Sequence, residues 1–463
     1  MSVGIAPAAP CDAHVQTLVI GAGAAGMVAA LSALEAGQEV LVLERDRVPS
    51  GSTALSAGLI PAAGTRFQTA AGIEDDPALF AADIQKKAQG ENDPALVDLM
   101  ARNAAPVVEW LADRHGLPFS VVTDFDYPGH SRRRMHGLPS RAGRDLIDAL
   151  RGAAEAAGVD ILTEARVETL LVEGDRVRGV AFRRPDGGTE RVGCDRLILA
   201  CNGYGANRDL VARHMPDIAE ALYFGHPGNM GEALLWGAEL CAVIRHPGAY
   251  QGHGNVAHPH GILITWGVIA EGGIQVDASG RRFWDESQGY SEAARAVQAR
   301  PGGMAVTVFD ERCAGIARQF ADFREAEAQG AIRRADSPQV LAEAFGLPAD
   351  ALSATLTEVA AAKAGRAEDG FGRPFAGAPQ LCPPYLGVRV RAALFHTQGG
   401  LAVDDLARVR REAGGVIANL HATGGAACGV SGSGDSGYLS GNGLLAAVTL
   451  GRIAGRAAPP GQI

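Results

Sequence analysis

Residues 15–44 read VQTLVIGAGAAGMVAALSALEAGQEVLVLE, and this stretch decides the fold. The β-branched run at 15–20 (VQTLVI) predicts a short strand. GAGAAG follows, with Gly21, Gly23 and Gly26 in GxGxxG spacing, and a small, apolar pattern through Ala36 predicts a helix. Residues 39–43 (EVLVL) predict a second strand that ends at Glu44. Gly21 permits the tight turn, Gly23 lets backbone N–H groups reach a pyrophosphate at the helix N-terminus, and Gly26 lets the helix pack close to the strand. Glu44 stands 18 residues past Gly26, where a carboxylate accepts a hydrogen bond from a ribose hydroxyl. In a chain with 61 glycines the spacing alone says little. The strand before it, the helix after it and the acid beyond turn it into a dinucleotide site.

Composition sets the frame around that site. The chain has 463 residues, past the ~250–300 at which one hydrophobic core stops growing, so two domains are expected. It is 47% hydrophobic and 20% charged, which excludes disorder as the main state. A formal net charge of −10 argues against nucleic-acid binding through the overall field. Seven scattered cysteines without a CxxC pair form neither a disulfide framework nor a zinc or iron–sulfur pattern, and fit a reducing cytoplasm. The N-terminal MSVGIAPAAPCDAH lacks the basic region of a signal peptide. Residues 15–34 are nearly all small or apolar, but Gln16 and the clustered glycines make a strand and buried helix the better reading than a membrane span.

Further segments carry a resemblance. They are GSTALSAG (51–58), LILACNGYGAN (197–207), GRRFWDE (280–286), DGFGRPF (369–375), HTQGG (396–400) and LHATGG (420–425). In this order they are similar to the signatures GGxSxxSGG, VILATGGFGAN, GxRFxNE, DxFGR, HTMGG and LYAAGE. The chain resembles the flavoprotein family of fumarate reductase, succinate dehydrogenase and 3-ketosteroid dehydrogenase across residues 15–456. The resemblance implies FAD and an α/β fold: a Rossmann-like FAD-binding domain of the glutathione-reductase type, with an inserted α+β capping domain. The strand-rich pattern at 159–200 and the helical, Ala/Glu/Arg-rich stretch 311–364 agree. We expect the FAD domain in 1–246 and 396–463 and the cap in 247–395.

FAD contacts are expected where these motifs lie. Around the glycine turn they are Gly21, Gly23, Ala24, Ala25 and Gly26, with Glu44 and Arg45 at the end of the second strand. The turn-rich stretch adds Gly51, Ser52, Thr53, Ser56, Ala57 and Gly58, and the strand-rich segment adds Val167. Ala200, Cys201, Asn202, Gly203 and Asn207 follow, then Gly424, and finally Gly441, Leu444 and Leu445 where a C-terminal helix opens. No histidine lies between His14 and His115, so FAD is expected to be bound non-covalently. No second GxGxxG follows a strand and there is no CxxxxC, so electrons are expected to leave to oxygen, a quinone or a carrier protein.

The substrate positions depart from the fumarate reductases. There the resemblance implies an arginine proton donor four residues past the GxRFxNE acid and a second, carboxylate-gripping arginine in NRLGGN. Here these positions are Tyr290 and Tyr438. Two tyrosines resemble the 3-ketosteroid dehydrogenase branch, in which a phenol takes the α-proton, a β-hydride passes to flavin N5, and a second phenol polarises the ketone. We expect Tyr290 as acid/base and Tyr438 as carbonyl or phenolate partner; otherwise both are aromatic wall. His253 (YQGHG) and His396 (HTQGG) sit where fumarate reductases bind substrate. Each fits either a donor to a substrate oxygen or a structural histidine beside the flavin. HPH (258–260) lacks spaced partners and reads as a loop, so no metal is expected. The basic cluster HSRRRMHGLPSRAGR (130–144) reads as a solvated loop, or else as a grip for a substrate carboxylate or a phosphate.

Three functions stay open. One is desaturation next to the ketone of a steroid-like or monocyclic substrate such as a cyclohexanone derivative. Another is reduction of an α,β-unsaturated acid. The third is a non-catalytic flavin electron-transfer subunit.

Overall fold

The computed structural model describes residues 3–124 and 126–458. Two compact units emerge. One takes the chain up to His214, Gly225–Tyr250 and everything from His396 on; the other takes Met215–Phe224 and Gln251–Phe395.

The first unit is wound around a parallel sheet. Its strands β1 (Ala13–Ile20) and β2 (Val40–Leu43) flank helix α1 (Ala24–Glu35) in sequence, as a βαβ unit requires. Helix α2 (Gly143–Ala157) leads to β3 (Asp160–Leu162), then the hairpin β4 (Arg166–Glu173) and β5 (Arg176–Arg183), and β6 (Thr189–Leu199). After the excursion into the second unit come β7 (Val416–Ala422) and α3 (Asn442–Arg456). The parallel order is β7-β6-β1-β2-β3, and the first half of β6 pairs antiparallel with β5. Thr17, Leu18, Val19 and Ile20 are all buried, as expected for a strand covered on both faces. The carboxyl ends of β1, β6 and β7 are adjacent: Ala200 N–H donates to Ile20 O and Thr423 N–H donates to Leu199 O. That juxtaposition gathers three separated glycine turns at one sheet edge, where α/β sheets bind ligands.

Helices α1 and α3 pack so closely that a Cβ at Gly451 would lie 2.7 Å from Ala25 O. Under them sits Arg196, fully buried, donating to Ala454 O, Gly455 O and Thr17 Oγ1 and to the amide oxygen of Gln38. It satisfies the carbonyls that the last turn of α3 leaves open, and burial pulls its pKa down to about 10. Arg196→Met strands the Ala454 and Gly455 carbonyls, each worth ~1–3 kcal/mol, while Thr17 Oγ1 and Gln38 Oε1 keep their mutual bond. A loss of at least ~2 kcal/mol in urea unfolding is the expected result, with α3 exchanging its amide protons faster than the sheet.

The second unit is α+β. Its sheet runs 262–263, Tyr250–Ala257, Tyr385–Thr397, Met304–Asp310, Ile274–Val276, with Leu222–Tyr223 and Ile332–Ala335 also pairing to the long strand. Helices Pro338–Phe345 and Ala349–Lys363 bury Leu341, Phe345, Leu352 and Val359 against Ile274, Val306 and Val308. Met215–Phe224 differs from the sequence expectation, which kept it with the first unit. Its strand adds in parallel to Ala393–Leu394, and no local pattern announces such a non-local pairing. No described helix is long and apolar enough to cross a membrane.

The basic loop is corrected by the structure. Arg134 is fully buried, clamped by Asp75 through Nε (2.9 Å) and Nη2 (3.0 Å) and by Asp83 (2.5 Å). Arg133 pairs with Asp126, and Arg141 with Asp124. Arg134 is therefore a clamp inside the fold, which corrects the expectation for this residue, whereas Arg132 and Arg133 are exposed as in a solvated loop.

Candidate active site

The glycine turn at the end of β1 has the shape of a phosphate cradle. Gly21 has φ +101°, and a Cβ there would meet Ala200 O at 2.6 Å. A Cβ at Gly26 would lie 1.8 Å from Gly21 O, whereas at Gly23 the sole atom within 4 Å would be Thr53 Oγ1, at 3.6 Å. Gly21 and Gly26 are therefore closed by the fold, and Gly23 is open to a ligand. Gly23 is also the N-cap of α1 and has no side chain to cap it; Thr53 Oγ1, from outside the helix, accepts Ala24 N–H at 3.1 Å. The N-terminus of a twelve-residue helix beside an open glycine suits an anion. Gly26→Ala is expected to lower the bound flavin per chain and the thermal midpoint together, read from the ratio of flavin to protein absorbance and from a melting curve.

The rest of the cradle lies around this turn. Glu44 is buried at the end of β2, accepting Ala22 N–H (2.7 Å) and Asp46 N–H (2.9 Å), and burial raises its pKa. Arg45 turns its guanidinium to Gly228 O and Glu232. Thr53 O and the Ser56 hydroxyl crowd Gly143 at the start of α2, and Gly51, Ala57 and Gly58 complete that turn. Asn202 adopts φ +64°, a conformation Asn tolerates, and its Nδ2–H donates to Ser52 Oγ. Burial pushes the Cys201 thiol up to about 12, so it stays protonated. Gly203 abuts Thr397, Asn207 accepts Leu210 N–H, and Val167 is buried in β4. Gly424 (φ +56°) sits against Ala25, and Gly441 (φ +87°) caps α3 ahead of Leu444 and Leu445.

The four candidate catalytic side chains fall into two pairs. In the second unit, His253 lies in the strand Tyr250–Ala257, and its ring stacks on Tyr290 (4.9 Å, 17°) and on Phe395 (5.3 Å, 23°). Trp266 stands edge-on to both His253 and Tyr290. Tyr290 is the first residue of helix Tyr290–Gln298, behind Gly289 at φ +131°. The segment before it is welded in place: Glu286, fully buried, accepts from Arg282 and pairs with Arg373, and Arg282 also pairs with Asp369. The GRRFWDE and DGFGRPF motifs thus form one ion-pair network that sets where Tyr290 begins its helix. Burial drives the His253 pKa down to about 3, so its ring is neutral. Nδ1 accepts Asn255 N–H at 3.2 Å, which puts the proton on Nε2.

In the first unit, His396 and the buried Tyr438 meet edge to face, with ring centroids 5.6 Å apart. Burial lowers the His396 pKa to about 4. A Cβ at Gly443 would lie 3.0 Å from His396 Nε2, so the second residue of α3 has to be glycine for the imidazole to rest there. Sequence reasoning missed Gln398, Ser431 and Asn442, which connect to His396 by hydrogen bonds. The available signal was the glutamine of HTQGG, where the related signature has methionine.

Known proteins are similar in sequence and share this fold. The family model described as FAD binding domain matches residues 16–444. A probable fumarate reductase of Shewanella frigidimarina (strain NCIMB 400) is 30% identical over 95% of this chain and 74% of its own. A 4-oxocyclohexanecarboxylate 2-dehydrogenase of Sinomonas cyclohexanicum is 27% identical over 95% of this chain and 92% of its own. The solved 3-ketosteroid-Δ4-(5α)-dehydrogenase of Rhodococcus jostii RHA1 shares the fold, with a TM-score of 0.78 at 24% identity over 98% and 99% of the two chains. The chain belongs to the FAD-binding-domain family and is an FAD-dependent oxidoreductase of the fumarate reductase kind, acting on CH–CH bonds.

Proposed function

We propose that the chain is a dehydrogenase that introduces a double bond beside the ketone of a cyclic, monocyclic-sized substrate. The observation that carries this is the setting of Tyr290: a phenol where fumarate reductases place arginine, in a bed of His253, Trp266 and Phe395. Such a bed suits a hydrocarbon ring. The relative named for 4-oxocyclohexanecarboxylate supports a compact ketone.

The cradle fits FAD: Gly23 and the α1 N-terminus would hold the pyrophosphate, Glu44 the ribose, and the turns at 51–58, 200–207, 424 and 441–445 the remainder. Bound there, FAD supplies the two-electron acceptor for the β-hydrogen. Residues 51–58 contain no histidine, which supports non-covalent attachment. Tyr290, as phenolate, takes the α-proton, and the C–H electron pair moves into the enolate. Its place at a helix N-terminus favours the negative phenolate by ~0.3–1 kcal/mol. In the first unit, Tyr438 O–H and His396 Nε2–H are donors of the kind that stabilise charge developing on a carbonyl oxygen. The electrons then pass to oxygen, a quinone or a carrier protein, and seven unpaired thiols fit a reducing cytoplasm.

Reduction of an unsaturated acid is the second reading, favoured by the identity to a fumarate reductase and by His253 and His396 standing where that family binds substrate. The flavin-loaded protein, mixed without oxygen with 4-oxocyclohexanecarboxylate or cyclohexanone, is expected to lose its oxidised-flavin band. No bleaching by either ketone, with the reduced protein reoxidised by fumarate or acrylate, would overturn the dehydrogenase in favour of the reductase.

A further inference from the structure

His396 lies at one end of a buried hydrogen-bond chain that begins at Asn442. Asn442, fully buried, donates from Nδ2 to Ser431 Oγ at 3.0 Å. The Ser431 hydroxyl has one proton and gives it to Gln398 Oε1 at 2.7 Å. The Gln398 amide is thereby oriented, and its Nε2–H points at His396 Nδ1, 3.0 Å away. An N–H aimed at that distance needs a lone pair, so Nδ1 accepts and the ring proton resides on Nε2. The Thr397 carbonyl also lies 3.3 Å from Nδ1. A proton on Nδ1 would serve that carbonyl, but it would set two N–H groups against each other at 3.0 Å. The chain cannot drift out of register, because Gln398 N–H donates to Ala249 O (2.7 Å) and Gln398 O accepts Gly429 N–H (2.8 Å). Gln398, Ser431 and Asn442 are all at most 5% exposed, so water does not compete for these bonds.

We infer that Gln398 is a positioning residue: held by Ser431 and Asn442, it locks His396 as a neutral donor through Nε2–H, which suits a ketone oxygen. The choice of ketone as the acceptor rests on the proposed dehydrogenase; the locked tautomer does not. A neutral N–H discriminates little in favour of a carboxylate, which gains more from a cation. Gln398 thus favours a carbonyl over an anionic group at His396. Replacing it with a carboxylate reverses the arrangement, because an acceptor opposite Nδ1 draws a proton onto that nitrogen.

The test is nitrogen-15 NMR of histidine-labelled, flavin-loaded protein without substrate, with His396 assigned by its loss in His396→Gln. The wild type is expected to show Nε2 protonated and Nδ1 as a hydrogen-bonded acceptor. Gln398→Met is expected to show both tautomers, and Gln398→Glu a proton on Nδ1. With 4-oxocyclohexanecarboxylate or cyclohexanone, Gln398→Met should raise KM about tenfold, the effect of one lost hydrogen bond, with a smaller change in kcat. A protonated Nδ1 in the wild type, or a His396 signal unchanged in Gln398→Met, overturns the lock. The expected tautomer in a protein that no ketone bleaches leaves the lock in place and removes the ketone.

Discussion

Tyr290→Phe slows ketone-driven bleaching of the flavin by ~10²–10⁴-fold, the range over which a positioned general base contributes. The substitution removes one oxygen. The phenyl ring keeps its stack on His253 and its edge contact with Trp266, so flavin content and thermal midpoint are expected to stay at wild-type values. Stopped-flow mixing under anaerobic conditions reads the rate. A second observable isolates the proton: in D₂O the wild type is expected to wash deuterium into the α-position of the ketone, and Tyr290→Phe is expected not to. Tyr438→Phe is different, since it removes a donor to the carbonyl oxygen, and loss of one such donor costs ~10²–10³-fold. Bleaching of Tyr290→Phe at the wild-type rate would take the proton-transfer role away from this residue.

Acid unfolds the chain steeply below pH 6.5. His136, His253 and His421 are buried, and burial drives their pKa values down to about 4, 3 and 3. In the unfolded chain a histidine titrates near ~6.5. Below that value the unfolded state takes up a proton that the folded state refuses, so stability falls as pH falls, until the folded pKa is reached. Each histidine contributes a slope of ~1.4 kcal/mol per pH unit, and the three together ~4 kcal/mol per unit between pH 6 and 4.5. Above pH 7 they contribute none. Their contacts explain the refusal: His136 bridges Thr65 Oγ1 and Arg134 O, Asn255 N–H points at His253 Nδ1, and His421 faces Leu406 O on one side. None of these bonds pairs the ring with a carboxylate. Urea unfolding across pH 4.5–8 measures the slope, and His421→Gln is expected to lower it by ~1.4 kcal/mol per pH unit. A stability flat from pH 7 to 5 would show that these rings are protonated in the fold.

The dinucleotide half of the molecule was legible because its signals are local. Gly21, Gly23, Gly26 and Glu44 occupy one βαβ unit, and its geometry is set by residues within about thirty positions of each other. The strands at 160–199 and the helix at Asn442–Arg456 were equally plain, because each carries its own periodicity or cap. The basic cluster was not. Arg134 looks solvent-exposed in the row HSRRR, and only the approach of Asp75 and Asp83 from earlier helices and loops turns it into a buried clamp. Charge patterning along a chain does not report which charges meet across it.

The sequence by itself determined the FAD-binding fold and the identity of the two tyrosines and two histidines that carry the candidate chemistry. It did so because backbone demands, such as an open glycine at a helix N-terminus, are met by few residue types and leave a pattern. Tertiary structure decided the states of those side chains. The stack of His253 on Tyr290 and the relay from Asn442 through Ser431 and Gln398 to His396 join residues far apart in the chain. Burial makes both imidazoles neutral, and the direction of a hydrogen-bond chain selects which nitrogen holds the proton. The groups opposite each Nδ1, Asn255 N–H and Gln398 Nε2–H, are neighbours in sequence, but the burial of the rings and the support of Gln398 by Ser431 and Asn442 come from distant parts of the chain.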